Sequence, residues 1–216
     1  MRFKNRDEAA KQLTGRLAAY KGQKPLILGV PRGAVPMART IADALEGELD
    51  VVLVRKLRAP GQPELAIGAV DEAGAVLRGR YFDVADEHYV RDEIHAQRDV
   101  IRARRKMYTS AQKAIDPAGR IVVIVDDGIA TGSSMLAAIR SVRARQPRRL
   151  IVAIGVAPAQ SLTQIEAEAD EVVCLHAPVD FYAVGQFFDN FSEVTDDMVV
   201  TALSGAARVE SVKSNG

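Results

Sequence analysis

Unbroken aliphatic runs recur along this sequence, and helical patterns fill the gaps between them. PLILGV (25–30), VVLV (51–54), IVVIV (121–125), LIVAIGV (150–156) and EVVCL (171–175) are apolar at nearly every position rather than at every second one. A strand with one wet face alternates; a strand apolar throughout is covered on both faces, as in a parallel sheet between helices. Ala9, Leu13, Leu17 and Tyr20 predict a helix over 6–20. Helices are also expected over 37–45, 134–145 and 161–169. The expected fold class is α/β, with a mainly parallel sheet flanked by helices.

Two stretches break this rhythm. Residues 57–117 are far too long for an ordinary crossover. LAIGAV and AVLRG around Asp71–Gly74 predict a β-hairpin, and 86–113 one long basic helix. Residues 178–191 hold Phe181, Tyr182, Phe187, Phe188 and Phe191, four of the six phenylalanines in the chain. They suit either a flap closing the core or a clamp for a flat ligand. The tail after Ser204 is small and polar and is expected to fray.

Bulk properties remove several function classes. The 216 residues are 48% hydrophobic and carry a formal net charge of +1, which gives no general attraction to a polyanion. The one cysteine, Cys174, excludes an internal disulfide and lies in an apolar run, where a buried small hydrophobe is expected. No run approaches the roughly twenty apolar residues of a membrane span, and the polar start lacks a signal-peptide pattern. A cytoplasmic protein is expected.

The chemistry concentrates in VVIVDDGIATGSS (122–134). Asp126 and Asp127 end a buried strand, where ligands of parallel sheets bind, and no nearby residue neutralises them. Gly128, Ile129, Ala130, Thr131, Gly132, Ser133 and Ser134 follow. The small residues admit close backbone approach, and the loop feeds the N-terminus of a helix, which favours an anion. A phosphate monoester fits that loop. The acids would repel it, but they suit hydroxyls or a hydrated magnesium ion. A ribose 5-phosphate offers both groups. The patterns of a nucleotide P-loop and of a dinucleotide-binding turn are absent, and a phospho-receiver acid pair would not explain the Thr-Gly-Ser-Ser run.

This segment resembles the phosphoribosyl-pyrophosphate (PRPP) motif of the type I phosphoribosyltransferases: four apolar residues, two acids and a small loop with Thr-Gly. In that family the acids bind the ribose hydroxyls and the loop takes the 5′-phosphate. GVPRGA (29–34) stands where the family has its pyrophosphate loop, with Arg32 as cation and Gly33 for close approach; Pro31 makes a cis bond cheap there. Arg55 and Lys56 stand where the family carries a basic residue, and Pro-Gly-Gln-Pro (60–63) at its mobile catalytic loop. With FYAVGQFF, these stretches are similar to a bacterial subgroup whose substrate is undefined. PVDFYAVGQFFD resembles the hood of the 6-oxopurine enzymes, which nominates Phe181 to stack on the base. It also makes Asp189, with Asp126 and Asp127, a candidate metal ligand. Those enzymes carry an aspartate where this chain has Ala130; Glu64 is the candidate substitute acid.

The resemblance implies one phosphoribosyltransferase domain over 1–216. Its core would run over about 22–176, with a flexible-loop and long-helix insertion over about 57–117 and a hood over about 177–195. The implied activity is PRPP-dependent transfer of a phosphoribosyl group to a nitrogenous base or amine, with release of pyrophosphate. Arg32, Lys56 and Mg2+ would hold the leaving group, and a homodimer is expected. The rival is a regulator that senses PRPP and binds nucleic acid through Arg98–Lys106 and Arg140–Arg149. Acids interleaved with the first cluster argue against it.

Overall fold

The computed structural model describes residues 1–109 and 114–205, without the side chains of Pro63, Glu64 and Thr109. Its central sheet has five parallel strands in the order β2-β1-β6-β7-β8: β1 Leu26–Gly29, β2 Glu48–Val51, β6 Ile121–Gly128, β7 Arg149–Val156 and β8 Glu171–His176. The fully apolar runs have their predicted cause. Along β6, Val123 and Val125 enter one core, while Val122 and Ile124 enter a second core on the opposite face. Helices α1 Arg6–Arg16 and α2 Val35–Leu45 cover the first face; α4 Ser133–Arg143 and α5 Ala159–Glu166 cover the other. The fold is α/β, as expected.

A second, antiparallel sheet holds β3 Val54–Ala59, β4 Gln62–Asp71 and β5 Val76–Arg78, packed against α3 Glu87–Thr109 and α4. It corrects one expectation. The single strand over 51–54 is two strand ends: Val51 is the last partner of Gly29, and Val54 opens β3 opposite Asp71. Hydrophobicity hides the break because the linking Val52 and Leu53 are buried too. The Pro-Gly-Gln-Pro segment joins β3 to β4. Pro60 and Gly61 make a tight turn closed by the Ala59–Gln62 pair, with Gly61 at φ 69°. The predicted hairpin at Asp71–Gly74 is present, its turn held by Ala75 N–H donating to Asp71 Oδ1 at 2.8 Å.

The helix over 6–20 is α1 followed by one tighter turn, Ala18–Tyr20; it buries Ala9, Leu13, Leu17 and Tyr20. Helix α3 buries Val90, Gln97, Ile101 and Tyr108; residues 110–113 of the predicted long helix, and the tail from 206, lie outside the described residues. A final helix, α6 Asp196–Ser204, was not expected, although Thr195 caps it by accepting from Met198 N–H. No described helix is long and apolar enough to cross a membrane. Cys174 lies half-buried in β8, and burial pushes its thiol up, away from the reactive thiolate.

Candidate ribose phosphate site

The carboxyl end of β6 holds Asp126 and Asp127 side by side. Asp127 is only 8% exposed and Asp126 is partly buried. Burial, then the neighbouring Asp127 charge, pushes the Asp126 carboxyl well above the ordinary aspartate range. The Asp127 carboxyl is also pushed up by burial, with Arg6 pulling against that shift. Among the described residues Asp126 has no ion-pair partner; its Oδ1 accepts Asp127 N–H at 2.9 Å.

Beyond the acids the loop is fixed at its base and open at its tip. Ile129 N–H donates to Val156 O at 3.0 Å, and Ser161 Oγ donates to Ala130 O at 2.7 Å. Thr131 is exposed, its hydroxyl 3.4 Å from that of Ser133. Gly132 enters α4 at φ 75°, a left-handed conformation that suits glycine, and no side chain caps the helix. The N–H groups of its first turn therefore point out of the loop as free donors beside Ser133 and Ser134. The acid pair and a loop of open donors stand next to each other, as their order in the sequence predicted.

The cation that the sequence lacked near the acids comes from the other end of the chain. Arg6, in the first turn of α1, donates Nε to Asp127 Oδ2 at 2.7 Å; the two side chains are 15% and 11% exposed. Its Nη1 donates to Ser192 O at 2.7 Å, and the guanidinium lies 3.8 Å from the centre of the Phe191 ring. Nothing local in the sequence marked Arg6.

The loop after β1 lies against this pair. A Cβ on Gly33 would stand 2.3 Å from Asp127 Oδ2, so the close approach it permits is to the acid itself. The cis bond joins Pro31 and Arg32, one residue later than the bond that the sequence favoured. Arg32 pairs with Glu193 and, at 3.8 Å, with Asp196. Asp196 Oδ1 in turn accepts the Tyr108 hydroxyl at 2.6 Å; burial and that bond raise the phenol, while nearby Arg104 and Arg32 oppose the shift. Arg55 lies in β3 rather than in a loop and donates to Gln97 at 2.9 Å. Burial, then Arg104 and Arg58, lowers its guanidinium. Lys56 is exposed on the same strand. Glu64 falls in β4, with its side chain outside the described residues.

The hood is built on the N-terminus. Phe3 N–H donates to Phe187 O and Asp189 N–H to Phe3 O, both at 2.8 Å, and Phe3 is fully buried against Phe188. Gln186 accepts from Tyr182 and Ala183 N–H, which shapes the tip. Val184 overlies Gly128, where a Cβ would meet it at 2.5 Å, so the hood stands directly over the acid end of β6. Phe181 is half-buried and stacks on Phe187 at 5.6 Å.

Asp189 does not join the acids. It is exposed and pairs with Arg2 at 3.0 Å, and no group of three acidic, His or Cys side chains able to hold a metal occurs among the described residues. In the free protein Asp189, the metal candidate of the hood, is thus held by Arg2. Two adjacent carboxylates, one lacking a cation, fit a hydrated magnesium that takes its remaining oxygens from a substrate. They do not make an all-protein metal cage.

Comparisons with known proteins place the chain in a family. The family model described as phosphoribosyl transferase domain matches residues 2–189. A protein of Mycobacterium tuberculosis (strain ATCC 25618 / H37Rv) named "Putative phosphoribosyl transferase Rv0571c" is 42% identical over 214 residues, covering 95% of this chain and 47% of that protein. The chain thus spans about half the length of the curated relatives it matches. The crystal structure of TT1426 from Thermus thermophilus is 45% identical, covers 95% of this chain and 99% of its own, and has a TM-score of 0.84. With the acid pair, the open small-residue loop and the family match all falling within residues 2–189, the chain belongs to the phosphoribosyl transferase family.

Proposed function

We propose that this protein transfers the phosphoribosyl group of PRPP to a nitrogen nucleophile and releases pyrophosphate. The observation that carries the reading is the junction of Asp126 and Asp127 with the uncapped start of α4, which matches ribose hydroxyls beside a 5′-phosphate. A bond forms between C1 and the incoming nitrogen as the C1–O bond to pyrophosphate breaks. The nitrogen gives up its proton. The site residues contribute position and charge rather than a covalent nucleophile. Asp126 and Asp127 would hold the ribose hydroxyls and a hydrated Mg2+. That ion, when bound, offsets charge on the departing pyrophosphate. Arg32 is the candidate cation for the pyrophosphate; Arg55 and Lys56 are the further candidates on β3. Phe181, in the hood above β6, is the candidate platform for a planar acceptor. A screen of bases and amines with PRPP and magnesium, scored by pyrophosphate release, tests the reading; no release with any acceptor would count against it.

Arg32 is expected to show its role by selectivity. Its partner Glu193 is exposed and can give way to an incoming anion. Arg32→Ala should weaken PRPP about tenfold or more while leaving ribose 5-phosphate nearly unchanged, as calorimetric titration would read. Equal losses for both would make Arg32 a folding residue.

Ala130 points to the acceptor. General acid–base help is worth roughly 10²–10⁴ in rate, and alanine supplies none. Turnover of hypoxanthine and guanine should therefore be poor. Brisk conversion that survives Glu64→Gln would overturn this.

Against the nucleic-acid alternative stand the carboxylate partners of several arginines in the basic clusters. Arg102, Arg105, Arg140, Arg143, Arg145 and Arg149 each meet a carboxylate on the protein itself.

A further inference from the structure

The geometry points to Arg6 as the resident counter-cation of the acid pair, a positioning residue without which the ribose site repels its own anionic ligand. The inference rests on the proposed reading of that site.

Two arginines border the site, and their attachments differ. Arg32 pairs with Glu193, whose side chain is 74% exposed and can be exchanged for a ligand. Arg6 cannot be exchanged in this way. Its three attachments come from different parts of the chain: Asp127 at the end of β6, the Ser192 carbonyl and the Phe191 ring. Gly33 closes the remaining side, where a Cβ would lie 3.1 Å from Nη2. The guanidinium is thus held on several sides, and its side chain is only 15% exposed. It acts through Asp127, and through the hood.

The consequence is electrostatic. Asp126 and Asp127 together would place two negative charges beside a loop that must accept a phosphate dianion. Arg6 cancels one of them by taking up Oδ2 of Asp127, while Asp126 keeps no cation among the described residues. Its planar fork also fixes the Asp127 rotamer against the hood segment 191–192, which an ammonium cannot do from one point.

The test is calorimetric titration of ribose 5-phosphate at low and high magnesium with wild type, Arg6→Gln and Arg6→Lys. Thermal melts would confirm that each variant is folded. Arg6→Gln keeps a polar side chain but removes the charge. It should weaken ribose 5-phosphate roughly tenfold or more at low magnesium. Raising magnesium should recover much of that loss, because the added cation replaces the missing one. Arg6→Lys, which keeps the charge but not the fork, should lose clearly less than Arg6→Gln. Equal losses in Gln and Lys, or a loss that magnesium does not relieve, would overturn the counter-cation role. Wild-type binding unaffected by Arg6→Gln overturns it while leaving the site reading intact. Failure of wild type itself to bind ribose 5-phosphate overturns both.

Discussion

Changing Asp126 and Asp127 together to Asn will remove PRPP and ribose 5-phosphate binding while the protein stays folded. Each carboxylate that accepts a hydroxyl makes a charge-assisted bond worth about 1.5–3 kcal/mol, so the pair should account for about two to four orders of magnitude in affinity. Titration with magnesium present reads the loss directly; unchanged affinity would move the site elsewhere. The single Asp126→Asn variant should also separate binding from stability. In the free protein Asp126 is a carboxyl raised above its ordinary value of 3.8 by burial and by Asp127. A group whose pKa is higher folded than unfolded penalises the fold once the pH exceeds the unfolded value. Removing the charge should therefore raise the melting temperature at pH 7, and the gain should vanish as the pH falls below about 4. A site residue whose loss stabilises the fold is the usual mark of a place shaped for a ligand.

The second large effect is expected from one added methyl group. Gly33→Ala puts a carbon 2.3 Å from Asp127 Oδ2 and 3.1 Å from Arg6 Nη2, with Asp127 already held by that arginine. The loop or the acid must move. Overpacking of this kind typically costs about 1–3 kcal/mol of stability. The displaced carboxylate should also cost PRPP binding at least tenfold, and ribose 5-phosphate equally, since the damage falls on the ribose end. That equality distinguishes Gly33→Ala from Arg32→Ala. Wild-type affinity in the variant would show that the loop yields freely.

These outcomes depend on features of unequal legibility. Runs such as IVVIV could be read because burial on both faces is a property of every residue in a central parallel strand. The acid pair and the small loop could be read because their chemistry lies within thirteen consecutive residues, 122–134. Ala130 was equally plain. The exchange of sheets between Val51 and Val54 was not, since a buried link is as apolar as the strands it joins.

What the sequence determined by itself was local: the alternation that calls for a parallel sheet, and the order of acids, glycines and hydroxyls at the end of β6. The tertiary structure alone decided which charges meet. Arg6 reaches Asp127 across 121 residues, Arg32 reaches Glu193 across 161, and Asp189 turns to Arg2 instead of the acid pair. The physical reason is that an ion pair is set by distance in space. Strands neighbouring in the sheet, such as β1 and β6, are far apart in the chain, and α1 reaches the end of β6 by packing into the core on one face of that sheet.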